Sequence, residues 1–193
     1  RVGGREIARA PREAEGDRDS QLPLTLVEDD PPKLDVAFWL DYFRRTRSDG
    51  VCLSAGGCVA YYPTQVPFHH RSAWLGTSDP FGTLVTGCRG MGMRVVARTD
   101  PHAARDEVRT AHPDWIAVGE DGRPRRHWAS PEMWVTCGLG PYNFEFMTKV
   151  QREIMARYRV DGVFVNRWDG SGVCYCVHCR DGFRIATGHE LPR

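Results

Sequence analysis

The stretch Asp161-Gly162-Val163-Phe164-Val165-Asn166-Arg167-Trp168-Asp169-Gly170-Ser171-Gly172-Val173-Cys174-Tyr175-Cys176-Val177-His178-Cys179 decides how this chain is read. Val163, Phe164 and Val165 form a short apolar run behind Gly162, the pattern of a buried strand. Asn166, Arg167, Trp168 and Asp169 follow at its C-terminal end, where α/β proteins carry their chemistry. The C-x-C-x-x-C of Cys174, Cys176 and Cys179 then reads as a metal or redox knot.

Working outward from that stretch, the same alternation recurs. A helix from Tyr142 to Tyr158 precedes it, with Met147, Val150, Ile154 and Tyr158 on one face. Near the start, Leu22, Leu24, Leu26 and Val27 form a candidate first strand, with Asp29 and Asp30 read as turn and cap residues. Val36, Trp39, Leu40 and Phe43 give a first helix over about 35–47, and Val51–Ser54 a second buried strand. Asp79-Pro80 is a cap followed by Pro at the first helical position, and Phe81, Leu84, Val85 and Cys88 keep helical spacing behind it. Met93–Ala97 is a third strand, with Arg98-Thr99-Asp100-Pro101-His102 at its end. A short helix over Ala103–Ala111 follows, and then an excursion with an Asp121-Gly122 turn.

Strands joined by crossover helices are parallel. The strands are mostly apolar, as expected for burial on both faces, with Arg94 as the exception. Two architectures fit: an open doubly wound sheet, or the first half of a (β/α)8 barrel. No Gly-rich phosphate loop follows any strand, which favours the barrel. A full barrel takes about 250 residues, so this chain of 193 holds about the first four βα units of an α/β, TIM-barrel-type fold. Residues 1–20, rich in Arg, Glu, Asp and Gly, read as a flexible lead-in to a unit over 21–193.

With 26 basic and 25 acidic side chains, the net charge of +1 supplies no basic excess for a nucleic-acid partner. No apolar run is long enough to span a membrane, and no signal peptide is visible. Seven cysteines, an odd number with three of them clustered, favour reduced thiols, and with them a cytoplasmic setting, over a disulfide framework. A homo-oligomer is open.

Asn166 at the end of a fourth strand, the downstream Cys174-x-Cys176-x-x-Cys179 and Phe183-Arg184 together resemble the zinc-containing β-galactosidases of glycoside hydrolase family 42. Segments such as Phe38-Trp39-Leu40-Asp41-Tyr42-Phe43, Tyr61-Tyr62-Pro63-Thr64, His112-Pro113-Asp114-Trp115 and Gly140-Pro141-Tyr142-Asn143 are similar to a wider set of hypothetical glycoside hydrolases with α-amylase-like or β-galactosidase-like barrels. The resemblance covers about residues 22–193 and implies a carbohydrate substrate and hydrolysis of O-glycosidic bonds. It also implies that Cys137 joins the three later cysteines on one structural zinc. One position departs: the strand-four Asn of family 42 is followed by Glu, the acid/base, and here by Arg167, whose guanidinium cannot deliver a proton near neutral pH. The nucleophile of that family comes from a later strand, outside this chain.

Four soft ligands in a tetrahedron suit zinc, and Cys137, Cys174, Cys176 and Cys179 supply them, with His178 in reserve. An iron–sulfur cluster, or a disulfide with free thiols, is the alternative. Glycoside hydrolysis needs two carboxyl groups flanking the scissile bond. Asp100 and Asp169 are the candidate pair, with Asn166, Arg167, Trp168, His102, Arg98 and Tyr61 around the substrate. An Asp100 ion pair with Arg98 or Arg167 is the structural alternative. Arg167 would bias the cleft toward an anionic group. The loop with Tyr61, Tyr62, Phe68 and Trp74 reads as a sugar-stacking surface or as a packed lid. Three functions fit: a glycoside hydrolase-like barrel, a non-catalytic carbohydrate-binding barrel, or a metal-dependent hydrolase using His69, His70 and His102 with Asp100.

Overall fold

The computed structural model describes residues 21–167 and 172–193. The lead-in over 1–20, and the expectations placed on Trp168 and Asp169, lie outside the described residues. In chain order the elements are β1 (Gln21–Leu24), α1 (Val36–Arg45), β2 (Gly50–Gly57), α2 (Pro80–Gly90), β3 (Arg94–Asp100), β4 (Ala103–Ala104), α3 (Asp106–Ala111), β5 (Trp134–Val135), α4 (Met147–Tyr158), β6 (Gly162–Val165) and α5 (Val177–Thr187).

β1, β2, β3 and β6 form one parallel sheet in that order, each strand beside its predecessor in the series. A doubly wound sheet reverses direction part-way, leaving a switch point. The four described strands have none.

Registers such as Leu24↔Leu53, Leu53↔Ala97 and Ala97↔Val163 put these side chains on one face, which is where α1, α2 and α4 pack. Val51, Leu53, Val95 and Ala97 are fully or almost fully buried there. Cys52, Val96, Arg98 and Phe164 share the opposite face, which is half-open, and Phe164 is 47% exposed. The apolar strands predict burial of both faces. Only one is covered by helices, and β6 has no neighbour on its far side among the described residues.

The helices begin and end as local chemistry requires. Asp35 caps α1 by accepting from the Phe38 amide at 2.9 Å. Asp79 caps α2 through the Gly82 amide, and its other oxygen accepts from the Tyr158 hydroxyl at 2.7 Å, tying α2 to the end of α4. Phe81, Leu84, Val85 and Cys88 turn inward from α2, and each large side chain among them contributes roughly 1.5–3 kcal/mol on burial. The expected helix over 142–158 opens with a π turn at Tyr142–Phe146 and becomes α-helical from Met147. Ala103 and Ala104, expected to be helical, instead pair antiparallel with Val135 and Trp134. The excursion between α3 and α4 carries the Asp-Gly turn, closed by the Gly119 amide on the Arg123 carbonyl at 2.8 Å. It folds back over the C-terminal ends of the strands and supplies one wall of the site.

The aromatic loop after β2 is mostly core. Tyr61 and Tyr62 are buried, and their hydroxyls donate to the Leu26 carbonyl and to Glu153 respectively. Glu153 also accepts from Thr64 and from the Gln65 amide, both at 2.6 Å, clamping the loop to α4. Phe68 and Trp74 remain exposed.

Candidate functional site

The site grows from the end of β3. Asp100 accepts twice from Arg98, Nε to Oδ2 and Nη2 to Oδ1, both at 3.0 Å, and Asn166 Nδ2 at the end of β6 adds a donor to Oδ1. Arg98 is itself steadied by Thr25 Oγ1 at 2.9 Å, past the end of β1. A planar guanidinium facing a carboxylate through two parallel bonds fixes its orientation as well as its charge. Arg98 and Asp100 are each 20% exposed at the side chain, so the pair is only partly screened by water.

The backbone around Asp100 is held by β2. The ladder between β2 and β3 slips at Ala55, so that Gly57 stands opposite Asp100. Gly57 has φ +109°, and a Cβ there would lie 2.3 Å from the Asp100 carbonyl oxygen. Only glycine permits that approach. Just beyond it, the Cys58 amide (2.8 Å) and Cys58 Sγ (3.0 Å) both donate to the same carbonyl.

Around Asp100 opens a cavity of about 310 Å³. Glu28, past β1, is one wall: it accepts from His70 Nε2 at 2.7 Å and from Arg105. His102 and His127 form the other. His127 is 7% exposed, stacks at 3.9 Å on Trp128, and stands 5.3 Å from the His102 ring, centroid to centroid. Burial pushes His102 down to about 4, and burial together with the nearby Arg167 charge lowers His127, so both rings are neutral near pH 7.

The four cysteines named from sequence come together. Their sulfurs all lie within 4.8 Å of one another, with Cys137 Sγ 3.4 Å from both Cys176 and Cys179. That is far beyond a disulfide bond and close to the roughly 3.8 Å between ligands of a tetrahedral zinc thiolate site. Hydrogen bonds from Cys137 and Cys176 hold the Cys174 thiol below its ordinary value, and the Val118 amide donates to its sulfur at 3.3 Å. His178 faces Asp114 at 3.5 Å, leaving Cys137 as the fourth member. This donor set fits a closed, structural zinc and offers no open position for chemistry. A larger hollow of about 430 Å³ beside the cluster has no charged side chain in its lining, which includes Leu139, Val173 and Phe183. The charged and titratable side chains line the smaller cavity instead.

Residues 35–167 match the model of the family described as hypothetical glycosyl hydrolase 6. The chain belongs to that family. No curated protein matches it. Among solved structures, this glycosyl hydrolase-family chain is similar to an α-L-fucosidase isoenzyme from Paenibacillus thiaminolyticus, at 19% identity and TM-score 0.67, covering 90% of this chain and 26% of that one. It is also similar to a hypothetical protein from Ruminiclostridium thermocellum (10% identity, TM-score 0.56, 76% of this chain and 75% of that one). A maltogenic α-amylase from Thermotoga neapolitana matches at 14% identity and TM-score 0.55, over 88% of this chain and 43% of that one. The chain thus spans about a quarter of the fucosidase's length, and at these identities the likeness is one of fold.

In the family chain, Asp100, Arg98, Asn166 and His102 gather at one rim. Tyr61 also lines the cavity, although its hydroxyl is engaged by Leu26. Arg167 has φ +53° and turns its guanidinium over Trp128, 5.6 Å from the ring centre, rather than into the cavity. His69 is spent on the Gly57 amide and Thr64, and His70 on Glu28, so they do not join His102 and Asp100 around one metal. Among the described residues the cysteine cluster alone is close enough for that. Glu28, Arg105 and His127 were not singled out from sequence. Glu28 carries a signal in the sequence, a carboxylate just past a strand, but shares it with the adjacent Asp29 and Asp30, which form only a local ion pair and turn.

Proposed function

We propose that this chain forms the substrate-binding half of a glycoside hydrolase-like (β/α)8 barrel, the half-open face of its sheet being the barrel interior. On this reading it acts on O-glycosidic bonds of a carbohydrate, with Asp100 as the negative charge beside the reacting carbon. The observation that carries it is Asp100 itself: a strand-end carboxylate, gripped by Arg98 and Asn166, on the wall of a cavity in a chain of a glycosyl hydrolase family. Among the described residues every hydrogen bond to its carboxylate comes from a donor, so Asp100 acts as a charge or nucleophile rather than as the acid. The proton donor must then be a second carboxyl group, and Asp169 is our candidate. Asn166, Arg98, His102, Tyr61, Trp168 and Arg167 surround the substrate in this scheme. Cys137, Cys174, Cys176 and Cys179 hold a structural zinc that pins the segment after β6.

A second reading, a barrel that binds carbohydrate without cleaving it, is favoured by Arg167, which stands where the resemblance to family 42 would place the acid/base. A panel of 4-nitrophenyl glycosides, offered to the full-length protein and to Asp100→Asn, separates the two. Hydrolysis should fall by about 10²–10⁴ in Asp100→Asn. Undiminished hydrolysis in that variant would remove Asp100 from the mechanism. Binding without turnover in the parent protein would establish the second reading.

A further inference from the structure

His127 Nδ1 accepts from two backbone amides, Ser130 at 3.0 Å and Ala129 at 3.3 Å. An amide N–H can only donate, so Nδ1 carries a lone pair and the ring proton is on Nε2. That Nε2–H is buried, has no partner among the described residues, and belongs to a ring on the cavity wall. A buried donor left without an acceptor costs about 1–3 kcal/mol, so a ligand that satisfies it is favoured.

His102 has the opposite polarity. Cys58 Sγ spends its proton on the Asp100 carbonyl at 3.0 Å and can therefore only accept from His102 Nε2, 3.9 Å away. His102 Nδ1 is then a bare acceptor, also buried and unpartnered. The wall thus offers one donor and one acceptor from adjacent rings. A hydroxyl group satisfies both kinds of site, since it accepts and donates at once, whereas a carboxylate or phosphate dianion only accepts.

The charges agree. Arg98 and Arg105 on the cavity wall are each paired, with Asp100 and Glu28, and Glu132 adds a further negative charge. The charge of Arg167 reaches both rings from over Trp128, but its side chain is not part of this wall.

We infer that His127 and His102 form a hydroxyl-recognition pair selecting a neutral sugar or polyol over its acidic counterpart, at a cavity sized for about one monosaccharide unit. This rests on the cavity being a carbohydrate site but not on its being hydrolytic. The opposing expectation, that Arg167 draws in anionic sugars, needs a direct contact, whereas its guanidinium lies over Trp128, outside the cavity lining.

The test uses the full-length protein with two pairs of probes, methyl galactoside against methyl galacturonide and methyl glucoside against methyl glucuronide. Binding is followed by titration and by the imidazole ¹H–¹⁵N signals. The useful variant is His127→Asn, whose Oδ1 can still accept from the Ala129 and Ser130 amides while the Nε2–H donor is lost. At least one neutral glycoside should shift the His127 Nε2 signal and bind at least about tenfold tighter than its acidic partner. His127→Asn should weaken that binding about tenfold with its unfolding midpoint unchanged. Equal or tighter binding of the uronide, a neutral ligand that leaves His127 unshifted, or no binding of any probe would overturn the inference. Hydrolysis lost in Asp100→Asn but indifferent to His127→Asn would sink this inference while leaving the proposed activity standing. Binding through His127 without turnover would do the reverse.

Discussion

Replacing Gly57 with alanine tests whether the close approach of β2 to Asp100 is what holds the site. Two costs add. The first is backbone: φ +109° is a region that side chains rarely occupy, with a cost of about 1–3 kcal/mol. The second is steric. The new Cβ would lie 2.3 Å from the Asp100 carbonyl oxygen and 2.5 Å from its carbon and nitrogen, all main-chain atoms of a paired strand that cannot rotate away. Forcing them apart adds about 1–3 kcal/mol and loosens the two Cys58 bonds on the same carbonyl. The sum is about 2–6 kcal/mol, a large part of the stability of an ordinary domain. Gly92→Ala is the internal control, because Gly92 has φ +77° with nothing within 4 Å of its would-be Cβ, leaving only a backbone cost of about 1–2 kcal/mol. Urea unfolding followed by far-UV circular dichroism, at constant m, should place Gly57→Ala at least about 1 kcal/mol below Gly92→Ala. Equal losses in the two variants would mean that the strands part without penalty, and that Asp100 is not positioned by this contact.

Two further outcomes follow from buried titratable groups and from the cysteine cluster. Burial pushes His69 from 6.5 down to about 4, where Nε2 must stay bare to accept the Gly57 amide. The unfolded chain takes its proton near 6.5 and the folded one near 4. The His69 contribution to stability should therefore be complete above pH 6.5 and fall by about 3 kcal/mol as pH drops through 4, so that unfolding curves of His69→Gln should fall by about 3 kcal/mol less than those of the parent. His102 adds its own fall in both proteins. For the cluster, elemental analysis of protein purified without added metal should find about one zinc per chain, falling close to zero in Cys137→Ser. Full zinc retention in that variant would require a different fourth ligand.

Much of the fold was legible because burial has a period. Val36, Trp39, Leu40 and Phe43, the Asp79-Pro80 cap, and the apolar runs ahead of Asp100 and Asn166 each announced an element, and each element formed. The sequence pattern ends the second strand at Ser54, yet β2 runs on through Gly56 and Gly57, whose lack of a Cβ serves an approach to Asp100 and to the His69 ring. Of the two readings of the aromatic loop, stacking surface or packed lid, Tyr61 and Tyr62 follow the packed one: their hydroxyls find Leu26 and Glu153 and the rings are buried. The cysteine cluster was readable because ligand chemistry restricts residue type. The pairing of Glu28 with Arg105 was not, since nothing in either local sequence marks a partner 77 residues away.

The cluster around Asp100 shows why such a site resists local reading. Its carboxylate is held by Arg98 from its own strand, Arg98 is held by Thr25 past β1, and Asn166 arrives from β6. Its carbonyl is held by Cys58 past β2. Every strand of the parallel sheet thus contributes one contact, and none of them places Asp100 alone. The parallel sheet in sequence order is what brings those four strand ends to one rim. In the proposed function a charge so held needs little reorganisation on binding, which is the condition under which a fixed carboxylate stabilises developing positive charge most effectively. The arrangement also couples function to folding. Any change that lets β6 slip by one residue turns Asn166 to the other face and takes its donor from Asp100, so loss of the site should precede loss of the sheet as the β6 edge is weakened.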